Sequence, residues 1–188
     1  MTAPAILVAV LAGGGSTRLG RDKALLPWRG GTLLAHVCAA AHGAGLPVMV
    51  VGRGAPDVPD DVRVLADESP GEGPLAALVT ALGAHDGAVL LLACDLPRLD
   101  AAAVRWLAAM PSGVNGVVLE VAGRLQTCCA LYQPSCLPLA RACLARGRRS
   151  LHALLDAGGF ARVGCPEGMA GRFGDVDTQA EWEGLAGQ

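Results

Sequence analysis

The sequence predicts an α/β domain of three layers, a mostly parallel sheet with helices on both faces, and three observations carry that expectation. Two unbroken aliphatic runs, residues 6–12 and 88–94, have the length and composition of strands buried on both faces. Around them, apolar stretches long enough for helices alternate with short strand-like runs. The composition is 52% hydrophobic but only 3% aromatic, so the core must be aliphatic, as it commonly is where helices cover a parallel sheet. At 188 residues the chain can bury one substantial core, and a single domain over 1–188 is expected.

The elements follow in order. Residues 6–12 run into Gly13-Gly14-Gly15, so the first strand stops at a tight turn. Thr32 is placed to cap a helix over 33–43. Residues 48–51 read as the second strand and 63–66 as a shorter third, with a Pro/Asp-rich surface loop over 53–61 between them. A helix over 75–83 leads to the strand 88–94, which breaks at Asp95-Leu96-Pro97. A helix over 100–110, strands over 116–121 and 127–132, helices over 137–146 and 150–158, and a short strand over 162–165 complete the alternation. Thr178-Gln179-Ala180-Glu181 has capping-box spacing and should open a last helix.

Charge and cysteine usage exclude several function classes. A formal net charge of -2 and a sequence pI near 6.0 give no overall basic field for nucleic acid and no polybasic attraction to anionic membrane. The run 6–12 is too short to span a bilayer and has no basic stretch before it, so a core strand in a cytoplasmic protein is expected. Seven cysteines without a C-x-x-C spacing offer neither a zinc ribbon nor a redox motif, and are expected as buried, reduced thiols. Four scattered histidines supply no transition-metal spacing.

The segment Leu11-Ala-Gly-Gly-Gly-Ser-Thr-Arg18-Leu-Gly20-Arg-Asp-Lys23, directly after a strand, is the strongest chemical signal. Glycines such as Gly13, Gly14 and Gly15 let successive backbone N–H groups face one anion without Cβ obstruction, the nest a triphosphate needs. Arg18 and Lys23 would neutralise its charge. Spacing excludes two alternatives: Arg21-Asp22 separates Gly20 from Lys23, so there is no P-loop, and Arg18 stands where a dinucleotide fingerprint requires glycine. Lys23 is the only lysine, and a compact ammonium is suited to holding phosphate as a point charge. Asp95 falls at the C-terminal edge of a buried strand, where ligands bind in such sheets, and one carboxylate with substrate phosphates satisfies magnesium.

Taken together, these residues resemble the molybdenum cofactor guanylyltransferases, within the wider group of nucleotidyltransferases built on a Rossmann-like sheet. The resemblance runs end to end: Leu11-Ala-Gly-Gly with Arg18, Gly20, Asp22 and Lys23; Gly73-Pro-Leu-Ala76; Cys94-Asp-Leu-Pro97; Gly123-Arg-Leu-Gln126 leading to Ala130-Leu-Tyr132; Arg149-Ser-Leu151; and Asp175-Val-Asp-Thr178. It implies that Leu11, Ala12 and Gly13 line the nucleotide, that Lys23 holds its phosphates, that Asp67 contacts the nucleotide and that Asp95 binds magnesium. A carboxylate at Asp67 can accept both N1–H and the exocyclic amine of guanine, a paired edge that cytosine does not present. The implied reaction is transfer of GMP from GTP to a molybdopterin acceptor, with other proteins of molybdenum cofactor biosynthesis as further partners.

Three departures from the family pattern stand out: Asp175 and Asp177 stand where the family often shows asparagine before Thr-Pro, with Gln179 in place of the proline; Ala77 takes a position that favours glycine; and residues 48–51 carry no asparagine. Arg141, Arg146, Arg148 and Arg149 form a local basic cluster suited to an anionic acceptor. Trp28, Trp106, Trp182 and Tyr132 read as packing residues. Two rivals stay open, a nucleotidyltransferase using CTP or a sugar-phosphate acceptor, and a non-catalytic nucleotide-binding module.

Overall fold

The computed structural model describes residues 6–13, 22–67 and 71–186. Their backbone forms a seven-stranded sheet in the order β5-β4-β1-β6-β8-β7-β9. These strands are β1 (Leu7–Ala12), β4 (Val48–Gly52), β5 (Arg63–Leu65), β6 (Val89–Ala93), β7 (Gly116–Val121), β8 (Arg124–Tyr132) and β9 (Phe160–Gly164). β1 is the central parallel strand, pairing Val8 with Val48 on one side and with Leu90 on the other. Only β8 runs against its neighbours β6 and β7, so the sheet is mostly parallel as expected.

Alternation along the fully buried strands sends side chains to two helical layers. Val8, Val10, Leu90 and Leu92 pack with Leu34 and Val37 of α1 (Leu33–Gly43) and with Val104 and Leu107 of α3 (Ala101–Ala108). Ala9, Met49, Val51 and Leu91 face the other way, against Leu75 and Leu78 of α2 (Pro74–Gly83), Ala140 of α4 (Leu137–Ala145) and Leu154 of α5 (Leu151–Asp156). A third, smaller cluster joins Leu26, Leu33 and Val176 to Trp182 of α6 (Gln179–Ala186). Thr32, Asp100 and Ser150 cap α1, α3 and α5 by accepting from the N–H three residues on, which satisfies groups that a helix start leaves unpaired.

Two hairpins depart from the predicted pattern. β2 (Pro27–Trp28) and β3 (Gly31–Thr32) pair across Arg29 and Gly30, both at positive φ, 47° and 86°. A two-residue turn of that kind normally uses Asn or Asp before Gly, so Arg29 gave no signal. β8 begins three residues earlier than predicted because Ala122 and Gly123, at φ 49° and 77°, make a second such turn and return the chain along β7. The β7–β8 register then shifts between Val118 and Leu119, leaving residues 127–129 of β8 outside the β7 pairing.

The irregular stretch is held from inside the core. Tyr132, fully buried, donates its hydroxyl proton to the Thr127 carbonyl at 2.9 Å and packs edge-on against Phe160. Tyr132→Phe keeps the ring and leaves that carbonyl without its donor, so a loss of about 1–2 kcal/mol is expected. Urea denaturation with an unchanged m value is the check. The other aromatics also pack: Trp28 against Trp182 and His36, and Trp106 against Phe173.

All seven cysteines are free; Cys38, Cys129, Cys136 and Cys143 are buried and the other three half-buried. Burial pushes the thiols of Cys38, Cys94 and Cys136 up to about 12 and that of Cys128 to about 11, which keeps them protonated and inert. Among the described residues no helix is long and apolar enough to cross a membrane.

Candidate active site

The sheet order reverses beside β1. Chain leaving β1 passes through α1 to β4 on one side, whereas chain leaving α2 enters β6 on the other, with α1 and α2 on opposite faces. Strand order thus reverses between β1 and β6, and the C-terminal ends of such adjacent parallel strands are where ligands bind in open α/β sheets. Lys23 lies at this point, and Asp95 follows two residues after β6. Their side chains meet, Lys23 Nζ donating to Asp95 Oδ2 at 2.8 Å.

Local structure fixes both groups. Asp22 accepts from the Ala24 N–H and caps a single 3-10 turn, Lys23–Leu25, whose Ala24 is buried in the core. Arg53, just beyond β4, reaches back to Asp22 Oδ2 at 2.9 Å, and its backbone N–H donates to the Ala12 carbonyl at 2.7 Å. Asp95 is mostly enclosed, and burial raises its carboxyl above the ordinary range against the opposing pull of Lys23. The nearby charge of Asp175 adds to the rise. Lys23 is itself raised overall: burial lowers it, but hydrogen bonds and charge from Asp177 and Asp95 outweigh that loss.

Asp177 is the member of this site whose role the sequence left open. Its Oδ1 accepts from Lys23 Nζ at 2.7 Å, so the ammonium lies between two carboxylates from distant parts of the chain. The segment carrying it is anchored: the Val176 N–H donates to the Asp95 carbonyl at 3.2 Å, and Val176 is fully buried. The N–H groups of Asp177 and Thr178 both donate to Glu181 Oε2 at 2.9 Å, while Thr178 Oγ1 accepts from the Glu181 N–H, the reciprocal box predicted at the start of α6. Those bonds hold the Glu181 carboxyl below its ordinary range.

The remaining predicted residues distribute as follows. Leu11 and Ala12 end β1, and Gly13 follows, exposed beside Gly52. Asp67 lies two residues past β5, on the same edge of the sheet. Gly14, Gly15 and Arg18 lie outside the described residues. The arginine cluster does not converge. Arg149 pairs with Glu72 at 2.6 Å and its carbonyl abuts Gly73 at the start of α2, whereas the Arg141 guanidinium lies near Gly83 at the other end of that helix, about 15 Å away by helical rise. Arg148 faces Asp156 at 3.6 Å. Adjacency in sequence had suggested one anion site, and α4 with its following turn separates the members instead.

A mostly parallel Rossmann-like sheet, with Lys23 and Asp95 meeting where its strand order reverses, is the architecture of a nucleotidyltransferase. The family model described as the MobA-like NTP transferase domain matches residues 8–161, and the chain belongs to that family. A Mycobacterium avium (strain 104) protein named "Probable molybdenum cofactor guanylyltransferase" is 34% identical over 186 residues, covering 94% of this chain and 93% of its own. The crystal structure of molybdopterin-guanine dinucleotide biosynthesis protein A from Archaeoglobus fulgidus superimposes with a TM-score of 0.73 at 18% identity, covering 94% of this chain and 95% of that one. A Mycobacterium tuberculosis H37Rv protein crystallised in complex with manganese gives 0.66 at 21% identity, with both chains covered to 100%. At these identities the two structures show the shared fold.

Proposed function

We propose that this chain transfers GMP from GTP to the terminal phosphate of molybdopterin, releasing pyrophosphate and forming the guanine dinucleotide cofactor. One observation carries the reading: the sole lysine and a half-buried aspartate meet 2.8 Å apart where the strand order reverses, after β1 and β6. That is where a triphosphate and its counterion need a mobile ammonium and a fixed carboxylate. Membership of the MobA-like family and the name of the Mycobacterium avium relative point the same way.

In this mechanism the acceptor phosphate attacks the α-phosphorus of GTP in line with the leaving pyrophosphate, and no covalent enzyme intermediate forms. Leu11 and Ala12 at the end of β1, with Gly13, Gly14 and Gly15, would line the nucleotide. Asp67 accepts from the N1–H and exocyclic amine of guanine. Lys23 and Arg18 meet the charge that accumulates on pyrophosphate, so catalysis is positioning plus charge stabilisation. The hard carboxylate oxygens of Asp95 and its neighbour Asp177 suit a hard divalent ion, and Asp95 is the residue that would hold magnesium. When bound, that ion would offset charge on the phosphate oxygens.

The acceptor would approach from the C-terminal half. β8 begins at Arg124, yet its last pair with β6 is Cys129 opposite Leu92, so the β7–β8 hairpin overhangs the edge bearing Asp95. A cytoplasmic setting with other proteins of molybdenum cofactor biosynthesis fits this reading. Pyrophosphate release measured with GTP or CTP, with and without molybdopterin, tests it. Release that requires both GTP and molybdopterin is the expected result. Release with CTP instead would reassign the nucleotide, and tight GTP binding without release would leave a binding module.

A further inference from the structure

We propose that the Lys23 ammonium and the divalent cation are alternative occupants of one carboxylate pair, Asp95 and Asp177. Nucleotide phosphates then draw the lysine away and free the pair for the cation. The inference rests on the function proposed above and adds how the site is controlled.

The geometry gives two converging oxygens. Asp95 Oδ2 and Asp177 Oδ1 lie 2.8 and 2.7 Å from the same nitrogen, so they enclose a volume that one small cation fills. Neither carboxylate is an adventitious neighbour. Asp95 lies two residues past β6, and Asp177 is set by the Val176 N–H bond to the Asp95 carbonyl and by the Glu181 bonds. Asp175 adds charge close enough to raise the Asp95 carboxyl. Two carboxylates therefore share one ammonium. The oxygens of a triphosphate compete with both carboxylates for that ammonium. The flexible four-carbon stem of Lys23 lets its ammonium transfer from carboxylate to phosphate while the backbone stays capped by Asp22. Because each ligand frees what the other requires, nucleotide and cation bind with positive coupling, and the cation alone binds weakly.

Manganese affinity of the nucleotide-free protein, read by the loss of the free Mn2+ electron paramagnetic resonance signal, tests this directly. Lys23→Met should bind Mn2+ about tenfold more tightly than wild type, because the competing ammonium is gone. Adding Asp177→Asn to that variant should remove the gain. A Lys23→Met protein that binds Mn2+ no better than wild type would overturn the proposal.

Wild-type protein supplies an independent measurement, since its single lysine gives one side-chain signal when lysine carries 13C at Cε. Titration with Mg2+ alone should move that signal to a plateau as the ammonium is displaced. An unmoved signal at saturating Mg2+ would also overturn the exchange, whether or not Lys23→Met folds. If GMP transfer proceeds while Mn2+ affinity ignores Lys23, the exchange fails alone. If Lys23→Met tightens Mn2+ binding in a protein that does not transfer GMP, the guanylyltransferase reading fails and the shared site stands.

Discussion

Asp95→Asn is expected to lower pyrophosphate release from GTP and molybdopterin by about 100- to 1,000-fold, while the urea midpoint shifts little. The substitution keeps the shape of the side chain and removes its charge. Without that charge the end of β6 no longer balances Lys23, and the proposed magnesium ion loses its main ligand. Removing one preorganised charge-stabilising group from an enclosed site typically costs two to three orders of magnitude in rate. The fold should tolerate the change, because burial already opposes ionisation of this carboxyl and the neutral amide avoids that cost. Steady-state rates and a urea titration on the same preparation separate the two effects. Near-normal turnover would remove Asp95 from the machinery.

The second large effect is structural and starts one strand away. Gly52→Ala is expected to destabilise the protein by about 3 kcal/mol, combining a left-handed backbone cost with overpacking. Gly52 closes β4 at φ 116°, and a Cβ there would run into the Ala12 carbonyl oxygen. That same carbonyl accepts the Arg53 N–H at 2.7 Å, so the strand cannot move aside without breaking the bond. The clash falls at the end of β1 assigned to the nucleotide, and GTP affinity should drop together with the urea midpoint. A protein of wild-type stability would show that the turn can relax, contrary to the close contact between β1 and β4.

What could be read from residues alone followed the strength of each local signal. The runs 6–12 and 88–94 hold largely buried strands whose aliphatic side chains leave little ambiguity, and Lys23 and Asp95 follow them in the chain. The caps at Thr32 and Thr178 were also legible, because a hydroxyl three residues before an unpaired N–H acts locally. The hairpin at Arg29 was not, since its turn uses a residue that rarely adopts positive φ. Asp177 could be noticed but not placed: it is 154 residues from Lys23, and only the packing of Val176 under α6 brings it there. The arginine cluster failed for the converse reason, because neighbours in the chain were separated by a helix end.

The anchoring of Asp177 through Val176 also bears on how the protein matures at the ribosome. Lys23, Asp95 and Asp177 emerge in that order, and at typical synthesis speeds the last follows the first by roughly 8 to 30 seconds. During that interval a nascent chain can already assemble the β1–β6 crevice, but its ammonium has a single acidic partner and Leu26 and Leu33 lack the cover of Trp182. Charge pairing on the lysine is therefore completed only once the stretch around Asp177 has emerged.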